Sequence, residues 1–185
     1  MPDPSSAATL VPVLETTRLR LRGHHLHDFP TSAAMWADST VTRYLRAQPF
    51  TEEESWTRFL RYAGHWALLG FGYWLVEEKA NGRFVGEVGF ADYKREMQPS
   101  LAGMPEMGWV LASHAHGKGY ATEAVRAASA WGDAHFVLAK SACVIAPENL
   151  ASIRVASKCG YQELTCGLYR GDRVTILVRD PRPPR

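Results

Sequence analysis

Leucine and arginine alternate from Arg18 to Arg22, Leu19 and Leu21 on one side of the chain and the three arginines on the other. That period of two predicts a first strand with one face buried. A mixed helical region follows. Thr51-Glu52-Glu53-Glu54 then has the side chains of a capping box ahead of Trp56, Phe59, Leu60 and Ala63 at helical spacing, predicting a helix that ends near Gly70. Two strand-like runs, Tyr73 to Glu78 and Arg83 to Phe90, flank Asn81-Gly82, a dipeptide suited to the positive φ angles of a tight hairpin. A loop from about Asp92 to Gly103 leads into an apolar strand, Glu106 to Leu111, and then a helix with Ala121, Ala124, Val125, Ala128 and Trp131 as its buried stripe. Ser141 to Ala146 is a short apolar strand broken by Pro147-Glu148-Asn149. A short helix reaches about Cys159, with Gly160 as its left-handed end. Tyr161 to Leu168 and Val174 to Val178 bracket Gly171-Asp172 as a last hairpin. This order predicts one mixed sheet with helices on both faces.

A chain of 185 residues supports one sizeable core. The expected domain runs from 14 to 180, with 1–13 and 181–185 as proline-rich tails. A net charge of +2 is too small to argue for duplex nucleic acid as a partner. No run approaches a membrane span and no secretory signal is evident, so the expected compartment is the cytoplasm. Cys143, Cys159 and Cys166 have neither disulfide-framework nor zinc spacing and read as free thiols. His24, His25 and His27 lack complementary carboxylate spacing, so no metal site is expected.

The stretch His114-Ala115-His116-Gly117-Lys118-Gly119-Tyr120-Ala121 lies where the apolar strand gives way to the amphipathic helix. Glycines there let backbone N–H groups converge, and the helix adds unsatisfied amides and the positive end of its dipole. A diphosphate suits such a turn. Amides from about Gly117 to Ala121 form the expected cradle; His116 and Lys118 either add charge to it or are solvated loop side chains. The nucleotide P-loop pattern fails because Gly119 follows Lys118. The dinucleotide fingerprint fails because Thr122 stands where its third glycine belongs.

With its flanks, this stretch resembles the acyl-CoA-binding motif of the GNAT superfamily of N-acetyltransferases, although His114 stands where that motif prefers Gln or Arg. Pro147-Glu148-Asn149-Leu150-Ala151-Ser152-Ile153-Arg154 with Lys158-Cys159-Gly160-Tyr161 resembles the family's second CoA-contacting segment, and Glu15-Thr16-x-Arg18-Leu19-x-Leu21-Arg22 the opening strand of its RimJ/RimL-type branch. The resemblance implies a single mixed, mostly antiparallel sheet of about six to seven strands flanked by helices. It also implies direct acetyl transfer from acetyl-CoA to a primary amine, either a protein N-terminus or a small molecule, in a ternary complex. The implied cofactor contacts are Val110 and Leu111 at a splayed strand end, the turn from His116 through Gly117, Lys118, Gly119 and Tyr120 to Ala121, and Asn149 with Ser152.

An attacking amine must be neutral, and Glu106, on the strand leading into the site, is the first candidate for general base, with Glu87 second. Both also read as salt-bridged strand carboxylates. Some relatives place a glutamate where Val144 stands, and others a thiolate-protonating tyrosine where Ala156 stands. Ser152 is the nearest replacement acid, and equally a first-turn serine that caps local amides. Asn149 reads as an N-cap and as a pantetheine contact together. Trp36 and Tyr44 lie where the family builds its acceptor wall. The alternatives are a CoA-binding sensor without turnover and an interaction module on the same fold. The acceptor is not specified by the charges of residues 31–50 and 92–103; homodimers are common in the family.

Overall fold

The computed structural model describes residues 11–136 and 140–181. Eight strands form one sheet in the order β1-β2-β3-β4-β5-β6-β8-β7. They are β1 (Leu14–Glu15), β2 (Leu19–Arg22), β3 (Tyr73–Glu78), β4 (Phe84–Ala91), β5 (Glu106–Leu111), β6 (Ser141–Ile145), β7 (Gln162–Tyr169) and β8 (Asp172–Arg179). Every neighbouring pair is antiparallel except β5–β6, which is parallel. The extra strand over the expected six to seven is β1, only two residues long and too short to leave a periodic signal.

One face carries α4 (Tyr120–His135) and α5 (Leu150–Lys158). Leu19, Leu21, Trp74, Val88, Phe90, Met107 and Leu111 meet Ala124, Val125, Ala128 and Ala156 there in the largest apolar cluster. The opposite face carries α1 (Phe29–Trp36) and α3 (Glu52–Leu69), with the short α2 (Ser39–Thr42) between them. Farther along that face, Met97 and Leu101 of the long loop pack on Ala142, Val174 and Ile176. Local chemistry explains the boundaries. Thr51 and Glu54 exchange capping-box bonds at the start of α3, and Gly70 closes it at φ 71°.

Three expectations shift. Residues 11–13 do not behave as a tail: Val11 packs on the main cluster and the Pro12 carbonyl accepts from Trp74 Nε1 at 2.8 Å. The remainder of both expected tails, 1–10 and 182–185, lies outside the described residues. In the β3–β4 connection only Gly82 has positive φ. Asn81 instead uses its side chain, accepting from Arg83 N and donating to Glu78. The last hairpin turns at Arg170-Gly171, with φ of 54° and 90°, one residue earlier than expected.

Candidate functional site

β5 and β6 share a single rung, Glu106 opposite Ala142, supported by Ala142 N donating to Pro105 O, and then diverge. This fork opens toward the carboxyl end of β5. The register on the other side of β5 fixes which amides face it. Ala112 N donates to Val85 O, and the alternation of an antiparallel ladder then turns Val110 and Gly108 toward β4 and Leu111 and Trp109 toward the fork. Of the two residues expected at the splayed end, Leu111 therefore presents its backbone to the fork, whereas Val110 spends its backbone on β4. Val110 contributes a side chain to the α1 side instead, packed with Met35, Trp36 and Ala112.

Immediately beyond β5 the chain makes a single 3₁₀ turn, Ser113–Ala115, and reaches the glycine pair. Gly117 and Gly119 both have left-handed backbones, at φ 75° and 79°. A Cβ on Gly117 would meet nothing, and one on Gly119 only the Arg18 side chain at 3.5 Å. Glycine is required here by backbone conformation rather than by crowding. Gly119 is the N-cap of the 16-residue α4 and supplies no side-chain cap, so the amides of Tyr120, Ala121 and Thr122 emerge without intrahelical partners. The turn thus presents converging donors and a positive helix end. A cleft of about 540 Å³ beside it is lined by Arg18, Gly119, Thr122 and Arg126 among others.

The turn is braced from behind by the opening strand, a contact with the turn that the sequence does not announce. Arg18 Nη1 donates to Lys118 O at 3.0 Å, and Arg18 Nε to Glu123 Oε2 at 2.7 Å. Thr16 Oγ1 and the Arg18 amide both donate to Glu123 Oε1, at 2.6 and 2.9 Å. Burial opposes the Glu123 charge, but the Thr16 and Arg18 donors outweigh it and hold the carboxyl below its ordinary range.

The histidines have structural partners. His116 Nε2 donates to Leu111 O at 2.9 Å and His114 Nε2 to Phe84 O at 3.0 Å. His116 thereby ties the turn back to β5 through one ring nitrogen. Lys118 is exposed, 5.9 Å from the Tyr120 ring centroid, and is free to approach one. Tyr120 donates its hydroxyl to Glu78 at 3.1 Å.

Asn149 is the N-cap of α5, its Oδ1 accepting from Ser152 N at 3.1 Å. The capping role is therefore filled by Asn149. The half-buried Ser152 hydroxyl has no protein partner among the described residues.

The two glutamates differ from a free base in different ways. Glu106 is buried on the α1/α3 face, and Arg95 grips it with Nε at 2.6 Å and Nη2 at 2.7 Å. Glu87 is fully buried and accepts from Ser32 Oγ at 2.6 Å, Tyr62 OH at 2.8 Å and Trp36 Nε1 at 3.0 Å, with His24 Nε2 at 3.5 Å. Burial works against its charge, but these donors prevail and hold Glu87 below its ordinary value. Glu87 thus anchors α1 and α3 to β4, which accounts for Trp36 being 2% exposed. Between the two carboxylates, Tyr73 stacks on Tyr62 at 4.9 Å and lays its hydroxyl over Gly108, where any Cβ would collide with it. Tyr44 is half-buried beside Arg43, whose Cζ lies 4.6 Å from its ring.

Cys143 and Cys159 are buried, and burial pushes both thiols up, away from thiolate chemistry. Cys166 is exposed on β7. Among the described residues no cluster of three metal-binding side chains occurs, and no helix is long and apolar enough to cross a membrane.

Comparison with known proteins converges on one family. Residues 18–162 match the acetyltransferase (GNAT) domain. The chain is 38% identical over 91 residues to YkkB of Bacillus subtilis (strain 168), a match spanning 49% of this chain and only about half of that protein (51%). It is 28% identical over 151 residues to the uncharacterized N-acetyltransferase p20 of Bacillus licheniformis, covering 81% of this chain and 82% of the relative. A solved Bordetella pertussis structure assigned to the GNAT-family acetyltransferases superposes with a TM-score of 0.79 at 28% identity, over 91% of this chain and 99% of the other. With the forked β5–β6 pair and the glycine turn at the head of α4 in place, the chain belongs to the GNAT acetyltransferase family.

Proposed function

We propose that this chain is an acetyl-CoA-dependent N-acetyltransferase that moves the acetyl group directly to a primary amine in a ternary complex. The observation that carries the reading is the uncapped, left-handed glycine turn at the open end of the β5–β6 fork. The fit is chemical as well as topological. The turn offers amides from Gly117 to Ala121 to a pyrophosphate, and Lys118 lies free beside them. The fork offers the Leu111 N–H to a pantetheine arm, with Asn149 and Ser152 at the head of α5 just after β6 as the proposed partners on the other side. Acetyl-CoA supplies an activated thioester, and the chain's own groups do the rest.

Leu111 N–H, on the fork side of β5, is the proposed donor to the oxygen on which charge develops as the amine attacks. Glu106 is the proposed acceptor of the amine proton, directly or through water, once its grip by Arg95 loosens. The C–S bond breaks as the C–N bond forms, and the unpartnered Ser152 hydroxyl is the proposed donor to the departing sulfur. The buried thiols of Cys143 and Cys159 favour this direct route over an acyl-cysteine. The RimJ/RimL-type opening strand, Glu15-Thr16-x-Arg18, supports that branch through the bracing of Lys118 by Arg18.

The test is calorimetry with CoA, together with thiol release from acetyl-CoA across an amine panel, on the native chain and Gly119→Val. A β-branched side chain at φ 79° costs at least 1–2 kcal/mol in that conformation and pulls the turn out of shape. CoA affinity and turnover should each fall at least tenfold, while the melting temperature drops by only about 2–8 °C. Equal affinity in the variant would sink the cradle assignment. CoA binding without turnover on any amine would favour the sensor reading, to which the alanine at 156 lends support.

A further inference from the structure

On the face of the sheet that carries α1 and α3, Arg58, Arg61 and Arg170 have no carboxylate partner among the described residues. Arg58, on α3, has its Cζ 4.0 Å from the Trp36 ring and 4.6 Å from the Phe50 ring. Its Nε is buried without a hydrogen-bond partner. Tyr62 hydrogen-bonds the guanidinium, Tyr93 and Tyr73 are its other close neighbours, and no carboxylate pairs with it among the described residues. Trp36 packs with Val110, and Tyr73 lies over Gly108, so the guanidinium among these aromatics overhangs the last residues of β5, beside the fork.

The surroundings have the same sign. Arg61 Cζ lies 5.0 Å from the Tyr93 ring, and Arg170 Cζ lies 5.4 Å from the Tyr169 ring; neither has an ion-pair partner among the described residues. Arg95 spans the same two rings at 4.7 and 4.5 Å. The acidic groups nearest these rings are engaged, Glu106 by Arg95, Glu87 by its buried donors and Asp92 by Lys94, and Glu54 on α3 is held by Arg46; Glu96 is exposed in the loop beside Arg95. An arginine keeps its charge under all ordinary conditions, and a buried polar group without a partner is costly unless a ligand supplies one. Planar guanidinium matches a carboxylate through paired hydrogen bonds.

We infer that the acceptor is a carboxylate-bearing amine whose carboxylate Arg58 receives, within the field of Arg61 and Arg170, and that polyamines are excluded by the same charges. This rests on the transferase reading for the amine but not for the anion site. Two sources offer that chemistry: the α-carboxylate of a free amino acid and an acidic side chain near a peptide N-terminus.

The experiment compares matched pairs: a set of L-amino acids against their carboxamides, Ala-Glu-amide against Ala-Gln-amide, and spermidine as the polycation. Binding to the CoA-loaded protein is followed by NMR, and acetylation by thiol release. The inference expects at least one carboxylate to bind and react at least tenfold better than its neutral twin. The free amino acid pairs and the peptide pair identify its source. Arg58→Gln should erase the preference, and Arg58→Lys should keep part of it; the native pairs decide the matter even if a variant fails to fold. Pairs matched within twofold, or a preference for spermidine, would overturn it. Carboxylate-selective binding without acetylation supports the anion site while defeating the transferase reading. Acetylation without carboxylate preference does the reverse, and an absence of both binding and acetylation defeats both.

Discussion

Replacing Glu87 with alanine is expected to be the most damaging single change to the fold. The substitution leaves Ser32 Oγ, Trp36 Nε1 and Tyr62 OH without their shared acceptor in a site with no exposure. Each stranded buried donor costs about 1–3 kcal/mol, so a total on the order of 3–5 kcal/mol is expected after relaxation. In a chain of this size that lowers the melting temperature by roughly 10 °C. Chemical denaturation measures the free energy directly. Glu87→Gln should cost less, since one oxygen still accepts, and a variant within 0.5 kcal/mol of native stability would refute the anchor role.

The same group gives a pH dependence with a definite sign. The folded-state pKa of Glu87 lies below its ordinary value of 4.5, because burial is outweighed by its donors. Its contribution is therefore present above that ordinary value and is lost as pH falls through the lower folded value. Asp28, also held down against burial by Arg22 and the His25 amide, behaves likewise. Melting temperature should fall below about pH 4.5, and more steeply in the native chain than in Glu87→Gln.

The second large effect is expected at Glu106. If this carboxylate takes the proton from the amine, Glu106→Gln lowers kcat by about 10²–10⁴-fold near pH 7. The loss should shrink at high pH, because an α-amine with a pKa of about 8 is then already neutral. Disruption of the Arg95 pair alone predicts a lower melting temperature and a rate deficit that persists at every pH. A kcat within threefold of native at pH 7, or a deficit that does not shrink at high pH, would leave Glu106 as the partner of Arg95 and nothing more.

What the sequence revealed depended on whether the physical cause was local. Left-handed Gly117 and Gly119, the Thr51 capping box, the Asn149 cap and the Leu19/Leu21 alternation are decided by a few neighbouring residues, and all could be read from them. The Asn81-Gly82 dipeptide marks the β3–β4 turn, but its mechanism is not the expected one, because Asn81 acts through its side chain. Pairings across long separations left no comparable trace. Arg18 with Glu123, Arg95 with Glu106 and the convergence of Ser32, Trp36 and Tyr62 on Glu87 exist only once the sheet has formed. The histidines show the same limit. In the sequence His116 is either a charge beside the turn or a solvated loop side chain, and only the approach of Leu111 O turns it into a strut.

The single rung between β5 and β6 has a thermodynamic consequence. β1 to β5 form one antiparallel block, β6 to β8 form another, and past Glu106 no ladder joins them. A molecule lying in the gap with polar contacts to both sides would act as a surrogate strand and make the sheet continuous. Occupancy and cohesion of the two blocks would then be one coupled equilibrium: at a hundred times its dissociation constant such a ligand adds about 2.7 kcal/mol to the folded state. The fork is thus the seam along which this sheet is least held, and a ligand that bridges it is the means by which the sheet is closed.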